Sequence, residues 1–400
     1  MRLKALVVAP CLDGDDVGEA WSSYHWVRGL AEHHDLTVLG YHKRGHRSLS
    51  EQLPGVRVVE WRDLPLVGRF ERLNSMLKPA YPIFHRRARR WIRAALARGE
   101  RFDVGHQLAP LAARYPSPLA GLGIPWVLGP LAGGLSDPEG FSGGAPAPWF
   151  THLRKLDGLR ARLDPWLRAS YRDASEIVTV APYMREVLAP MVDQEHVHES
   201  ETGVLACPDP RQSREPGPLR ILHVGRMVRT KGLAHGLRAL ATLKHLEWTL
   251  DVVGAGEELE PCRQLAVGLG LDQRVTFHGR VPRDAVDDYY RRSDVFLFPS
   301  YREPSGNVVF EAMAHGLCVV CCARGGPGHV VAPGLGFAVP VETPEQLERD
   351  LAGHLRVLLA KPSLATEVGA AGQEFLQKQA VWPAKVERMS KLYQGLVVPA

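Results

Sequence analysis

The chain is short of three things: cysteine, long apolar runs and an excess of either charge. Six cysteines, at 11, 207, 262, 318, 321 and 322, are spread over 400 residues, and a chain of that size does not depend on disulfides. Cys318 and Cys321 stand at C-x-x-C spacing, but within LCVVCC, an apolar strand pattern. No second cysteine pair or histidine cluster accompanies them at zinc-ligand spacing, so buried free thiols are expected. No stretch approaches the roughly 20 apolar residues that span a bilayer. Residues 1–10 form an apolar run without a signal-peptide cleavage pattern, so the expected location is cytoplasmic. The 49 basic and 44 acidic residues leave a formal charge of +5, too small to mark a nucleic-acid binder unless it is gathered on one face. Short-period repeats and low-complexity tracts are also missing.

With 45% apolar residues, the chain is long enough to bury more than one core, and chains beyond about 250–300 residues usually split. Apolar runs of strand length recur at 3–9, 36–40, 56–60, 102–107, 125–129, 176–179 and 197–201, several of them separated by helical patterns. This alternation is the signature of a doubly wound α/β domain. Residues 208–218, PDPRQSREPGP, have four prolines and no periodicity and read as a linker. The expected domains are therefore 1–207 and 219–381, with further helices in the tail.

The most informative stretch is 293–316, SDVFLFPSYREPSGNVVFEAMAHG. A buried parallel strand ends at a proline, a turn containing glycine follows, and Asn307 opens an amphipathic helix. The amides of Ser305, Gly306, Asn307 and Val308 are predicted to offer donors to an anion at the positive end of that helix. Glu303 precedes the helix and Glu311 lies about one turn inside it, so a phosphate ligand with hydroxyls on both sides would suit the pair. Earlier, the strand 219–224 runs into GRMVRTKG, which misses the Walker spacing but projects Arg226 and Lys231 from a strand-to-helix loop. There a planar guanidinium and a point-charge ammonium are expected to neutralise a diphosphate. A G-x-G at Gly254 and Gly256 follows the next strand without the third glycine of a dinucleotide fingerprint. The strand after it runs into His278, Gly279, Arg280 and Val281.

In the first half, CLDGDDVG follows the first strand. Its aspartates make an ordinary turn and no metal site is assigned to them. Gly18 and Glu19 open a helix where backbone can approach a ligand closely. His106 ends a strand at the edge where such sheets bind ligands; contact with a sugar hydroxyl and a structural role are both open. The segment GPLAGG, with Gly129, Pro130, Gly133 and Gly134, lies at the equivalent place after the next strand, either as a close-approach loop or as a plain flexible one. Residues 84–98, FHRRARRWIRAALAR, set apolar residues at helical spacing against a basic face. A solvated face is the expectation, with an acidic membrane surface or an anionic substrate as alternatives.

Taken together, Gly225-Arg226, Lys231-Gly232, Gly254-x-Gly256-Glu257, Phe277-His278-Gly279 and Glu303-x7-Glu311 occur in an order and spacing that resembles the retaining nucleotide-sugar glycosyltransferases of family 4. The resemblance is strongest over 219–339. It implies an α/β chain of GT-B architecture, with two Rossmann-like doubly wound parallel-sheet domains facing an interdomain cleft. It also implies that the C-terminal helix, about 382–400, packs back onto the first domain. On this resemblance Arg226 and Lys231 hold the donor diphosphate, Glu311 the ribose, Glu303 faces the donor sugar, and the nucleobase lies near His278, Gly279, Arg280 and Val281. Gly18 matches the glycine loop closing over the phosphates, and His106 the histidine of a D-x-x-H strand end counted from Asp103. The GPLAGG loop resembles the G-P-x-G-G loop of one branch, on the acceptor side, and replaces a sugar-contacting histidine found in many members. Glu303-Pro304-Ser305-Gly306 departs from the commoner form of its motif.

The implied activity is transfer of a hexose-type sugar from a nucleoside diphosphate sugar, such as a UDP-sugar, to an acceptor hydroxyl with retention. The expected mechanism is front-face and metal-independent, with no cofactor and no nucleic-acid partner. The alternatives are a sugar-nucleotide epimerase of the same architecture and a non-catalytic nucleotide-sugar-binding module.

Overall fold

The structure is a computed structural model and describes residues 1–62, 78–141, 157–209 and 217–397. The prolines and charges at 210–216, most of the expected linker, lie outside the described residues. Packing divides the chain into two units.

The first unit takes the described residues of 1–134, 157–201 and 382–397. Its sheet is built from β1 (Lys4–Val8), β2 (Asp35–His42), β3 (Arg57–Arg62), β4 (Val104–Gln107), β5 (Trp126–Leu131), β6 (Glu176–Thr179) and β7 (Val197–His198). The strands run parallel in the order β3-β2-β1-β4-β5-β6-β7. The central strands are buried on both faces, which is why β1 reads as the run ALVV after Lys4. The helix Glu19–His33 packs against the C-terminal helix Trp382–Val397 so closely that a Cβ on Gly29 would lie 2.4 Å from Val386. The same C-terminal helix buries Lys385, whose Nζ pairs with Glu199 Oε1 at 2.5 Å, donates to the Ser200 carbonyl at 2.8 Å and lies over the Trp26 ring. A buried ammonium is tolerated here because its charge and its donors are met.

The second unit holds 135–141, 202–209 and 217–381 among the described residues. Its strands are β8 (Leu219–Val224), β9 (Trp248–Val253), β10 (Val275–Gly279), β11 (Val295–Phe298), β12 (Cys318–Cys322) and β13 (Phe337–Val339). They are parallel in the order β10-β9-β8-β11-β12-β13. This is the Rossmann order, in which the direction of winding reverses between the first and fourth strands. Cys318, Cys321 and Cys322 point into this core with no exposed surface, and burial pushes the Cys318 and Cys321 thiols up to about 12. The fold is GT-B, two parallel-sheet α/β units in one chain.

Two segments depart from the expected domain boundaries. Residues 202–207 were expected in the first unit and belong to the second, where Val204 pairs with Val381 and packs in the core. Residues 135–141 also belong to the second unit although the sequence on both sides belongs to the first.

Candidate functional site

In a doubly wound sheet, ligands bind beyond the carboxyl ends of the strands where the strand order reverses. In the second unit that point lies between β8 and β11, so the loops after these strands, 225–232 and 299–306, become neighbours. Gly232 adopts φ +71 there, and a Cβ on it would lie 2.0 Å from the Pro299 carbonyl oxygen, so the two loops approach at a distance only glycine allows. The consequence is an ion pair between Lys231 and Glu303 (Nζ to Oε2), with both side chains mostly buried. Lys231 Nζ also lies 5.0 Å from the centre of the Phe298 ring. The second Glu303 oxygen, Oε1, accepts the Gly306 amide at 3.2 Å.

That last bond changes what the helix tip can offer. Of the four amides expected to face an anion, Gly306 is taken by Glu303 in the helix-capping position. The amides of Asn307 and Val308, at the start of the helix Asn307–Ala314, make no hydrogen bond among the described residues. Glu311 lies on this helix; its Oε2 accepts the Tyr290 hydroxyl at 3.0 Å, and burial pushes its carboxyl above the usual range. Arg226 is exposed, and its guanidinium is unpaired among the described residues.

The glycines at 254 and 256 serve the site from behind. A Cβ on Gly254 would lie 1.8 Å from the Gly225 carbonyl oxygen and one on Gly256 2.2 Å from that of Met227. Met227 N donates to the Ala255 carbonyl at 2.9 Å. The G-x-G therefore braces the backbone of the loop carrying Arg226 and Lys231. Gly279, at φ +67, accepts the Gly254 amide at 2.8 Å. His278 Nε2 lies 2.5 Å from Asp251 Oδ1, while Arg280 is exposed and Val281 partly buried.

Sequence reading missed the residues that fasten these loops. Asp137 Oδ1 lies 2.9 Å from Arg302 Nη1, and its Oδ2 3.6 Å from Arg229 Nη2. Arg229 Nη1 also donates to the Phe141 carbonyl at 3.0 Å. Phe141 enters the core of the second unit with its ring 4.5 Å from that of Tyr301. A strap from the first half of the chain thus holds the residue beside Glu303 and the residue two before Lys231. The only signal for it was GPLAGG, which marks where the chain leaves β5. Gly129 has φ +121 with a Cβ position 2.1 Å from the Val178 carbonyl oxygen, and Gly134 has φ +74 against the Val187 side chain. Gly133 donates its amide to the Tyr183 hydroxyl at 3.3 Å. Pro130 is part of β5 and buried.

In the first unit, Gly18 sits in the helix-capping position with φ +64, exposed, and nothing lies within 4 Å of where a Cβ would stand. Its backbone is open to approach. The three aspartates of the neighbouring turn each face a basic partner: Asp13 with His46 at 2.7 Å, Asp15 with Arg47 at 2.6 Å and Asp16 with Lys43 at 2.7 Å.

His106 requires a correction. Its side chain has no exposed surface, and both ring nitrogens are engaged, Nδ1 with the Tyr393 hydroxyl and Nε2 with the Gly129 carbonyl, each at 2.5 Å. A carbonyl can only accept, so Nε2 carries the proton and Nδ1 accepts from Tyr393. Burial holds the ring neutral by pulling its pKa down to about 4. His106 therefore offers no nitrogen to a substrate in this arrangement; it ties the end of β5 to the C-terminal helix.

Residues 209–375 match the family described as Glycosyl transferases group 1. The match lies within the second unit. Among curated proteins, the chain is 34% identical over 200 residues to D-inositol 3-phosphate glycosyltransferase of Corynebacterium jeikeium, covering 46% of each protein. It is 32% identical over 160 residues to the lipopolysaccharide core biosynthesis glycosyltransferase LpsE of Rhizobium meliloti, covering 40% of this chain and 45% of that one. The chain thus spans less than half the length of these curated relatives. Solved structures resemble it over nearly their whole length. Sucrose-phosphate synthase of Thermosynechococcus elongatus gives a TM-score of 0.67 at 20% identity, covering 99% of both chains. Anabaena Alr3699/HepE, in complex with UDP and glucose, gives 0.63 at 16% identity, covering 98% of this chain and 100% of that one. At these identities the likeness shows the fold.

Proposed function

We propose that the protein is a retaining glycosyltransferase that moves a sugar from a nucleoside diphosphate sugar to an acceptor hydroxyl, without metal. The observation that carries this reading is the meeting of Lys231, Glu303 and the Asn307 and Val308 amides at the switch point of the second sheet. A cation and two unpaired amides suit a diphosphate. A carboxylate beside them suits the hydroxyls of the attached sugar, and Glu311 one turn further suits a ribose. The group 1 match over 209–375 covers all of these residues, and the fold neighbour from Anabaena holds UDP and glucose.

In the proposed reaction the bond between the anomeric carbon and the diphosphate oxygen breaks, and a bond to the acceptor oxygen forms on the same face. The acceptor proton passes to the departing phosphate oxygen. The chain supplies position and charge stabilisation: Arg226, Lys231 and the two amides take the growing negative charge on the leaving group. Glu303 orients the sugar.

A thermal-shift panel of nucleoside diphosphates and their sugars tests the reading without an acceptor. A ligand present at 100 times its dissociation constant adds about 2.7 kcal/mol to the native state, so one nucleoside diphosphate should stand out and nicotinamide dinucleotides should be inert. The reverse pattern overturns the reading. With the cognate donor, conversion to a second nucleotide sugar in the absence of acceptor identifies an epimerase instead, and binding without turnover on any hydroxyl acceptor identifies a binding module.

A further inference from the structure

The helix Tyr81–Ala97 buries Phe84, Ala88, Ile92 and Ala95 in the first unit's core and turns Arg86, Arg87, Arg90 and Arg93 to solvent. None of these four arginines forms an ion pair among the described residues. The short helix Pro165–Asp173 lies beside it, and the short helix Asp157–Leu163 packs against Pro165–Asp173. The His85 and Trp166 rings stack at 6.4 Å, and both elements are tied to the loop 113–120, through Tyr81 and Arg89 on one side and Ser170 and Tyr171 on the other.

This pair of helices buries Leu167 and Tyr171 but leaves three other large apolar side chains outside. Trp166 is 64% exposed, Leu163 69% and Leu159 55%, and Ile83 on the basic helix is 38% exposed. Leu159 and Leu163, four residues apart on one helix, share a side of it, and Trp166 stands in the first turn of the next helix, after the extended Asp164. A soluble surface normally scatters such residues singly; here they stand among arginines. Segments 81–98 and 157–173 hold ten arginines against three aspartates, a net +7, while the whole chain has +5. The rest of the chain is therefore slightly acidic, and the positive charge is concentrated in these two segments.

We propose that this face of the first unit docks on an anionic lipid bilayer, with Trp166, Leu163, Leu159 and Ile83 entering the headgroup region and the arginines meeting lipid phosphates. Basic residues beside exposed apolar ones fit a membrane interface, where aromatic and aliphatic side chains leave water while guanidinium groups stay at the surface. A nucleic acid would satisfy the charge alone and leave the aliphatic side chains Leu159, Leu163 and Ile83 without a partner. The acceptor would then be met at a membrane surface. The docking proposal does not depend on the glycosyltransferase reading.

The test is co-sedimentation of the full chain with vesicles of equal parts phosphatidylglycerol and phosphatidylcholine, and with pure phosphatidylcholine vesicles. Binding is expected to the anionic vesicles, to fall steeply as salt is raised, and to be absent from the neutral ones. Each arginine near such a surface contributes about fivefold in affinity, so Arg86→Gln/Arg90→Gln/Arg93→Gln should weaken binding about a hundredfold, and Trp166→Ala should weaken it several-fold. These side chains are exposed, and unchanged unfolding temperatures confirm that the variants fold. Equal binding to both vesicle types, no binding to either, or unaltered binding of the triple variant overturns the proposal. So does a preference for duplex DNA over the anionic vesicles.

Discussion

Lys231 is ion-paired with Glu303, 72 residues away, while Glu303 keeps its second oxygen on the Gly306 amide. Without a ligand, each therefore satisfies part of the other's charge, and a diphosphate must draw Lys231 away. Glu303→Gln should bind the cognate nucleoside diphosphate as tightly as the parent or several-fold more tightly, while turnover falls by orders of magnitude. Calorimetry with the free diphosphate decides it. A loss of affinity equal to that in Lys231→Ala would place Glu303 on the phosphates.

Arg226 and Lys231 are expected to act on one diphosphate, so their contributions should not add. Neighbours sharing a ligand couple by roughly 0.5–3 kcal/mol, and the double alanine variant should lose less affinity than the two single variants together. Strict additivity would mean separate sites.

Most of the second unit was legible because local pattern and topology agree there. Strands β8 and β11 and the start of the helix at Asn307 follow from apolar runs ended by glycine or proline, and the parallel order then forces Lys231 and Glu303 together. What pattern could not show is what a side chain meets. His106 looked available at a strand end until Tyr393, 287 residues away, and Gly129 took its two nitrogens. The Gly306 amide looked free until Glu303 claimed it. Asp137 gave no sign at all, because its partners are Arg229 and Arg302, and no local periodicity links a loop after β5 to loops after β8 and β11.

Asp137 holds those two arginines by ion pairs in a partly buried place. Asp137→Ala removes the carboxylate from two guanidinium groups that are each more than a third exposed, and should destabilise the chain by about 0.5–1 kcal/mol. Arg302→Ala should remove most of that penalty, so the double variant should be more stable than the sum of the single losses predicts. Urea unfolding of the three variants measures this. Independent effects would show that the Asp137 to Arg302 pair contributes nothing of its own.

Stability should fall with acid before the ordinary carboxylates titrate. His106 and His223 are fully buried, and burial pulls each down to about 4 from an ordinary value of 6.5. His223 is held through Nδ1, which donates to the Leu297 carbonyl at 2.9 Å. Between those two pH values the unfolded chain binds a proton at each site and the native chain does not, so stability rises with pH across the window and is lost as pH falls through it. Each histidine contributes a slope of up to about 1.4 kcal/mol per pH unit. His106→Gln keeps a donor toward the Gly129 carbonyl and cannot titrate. It should be less stable than the parent at pH 8, yet lose stability more slowly between pH 6.5 and 4.5. Urea unfolding across that range reads the slope directly, and parallel curves for the parent and His106→Gln would show that the buried ring does not set the acid sensitivity.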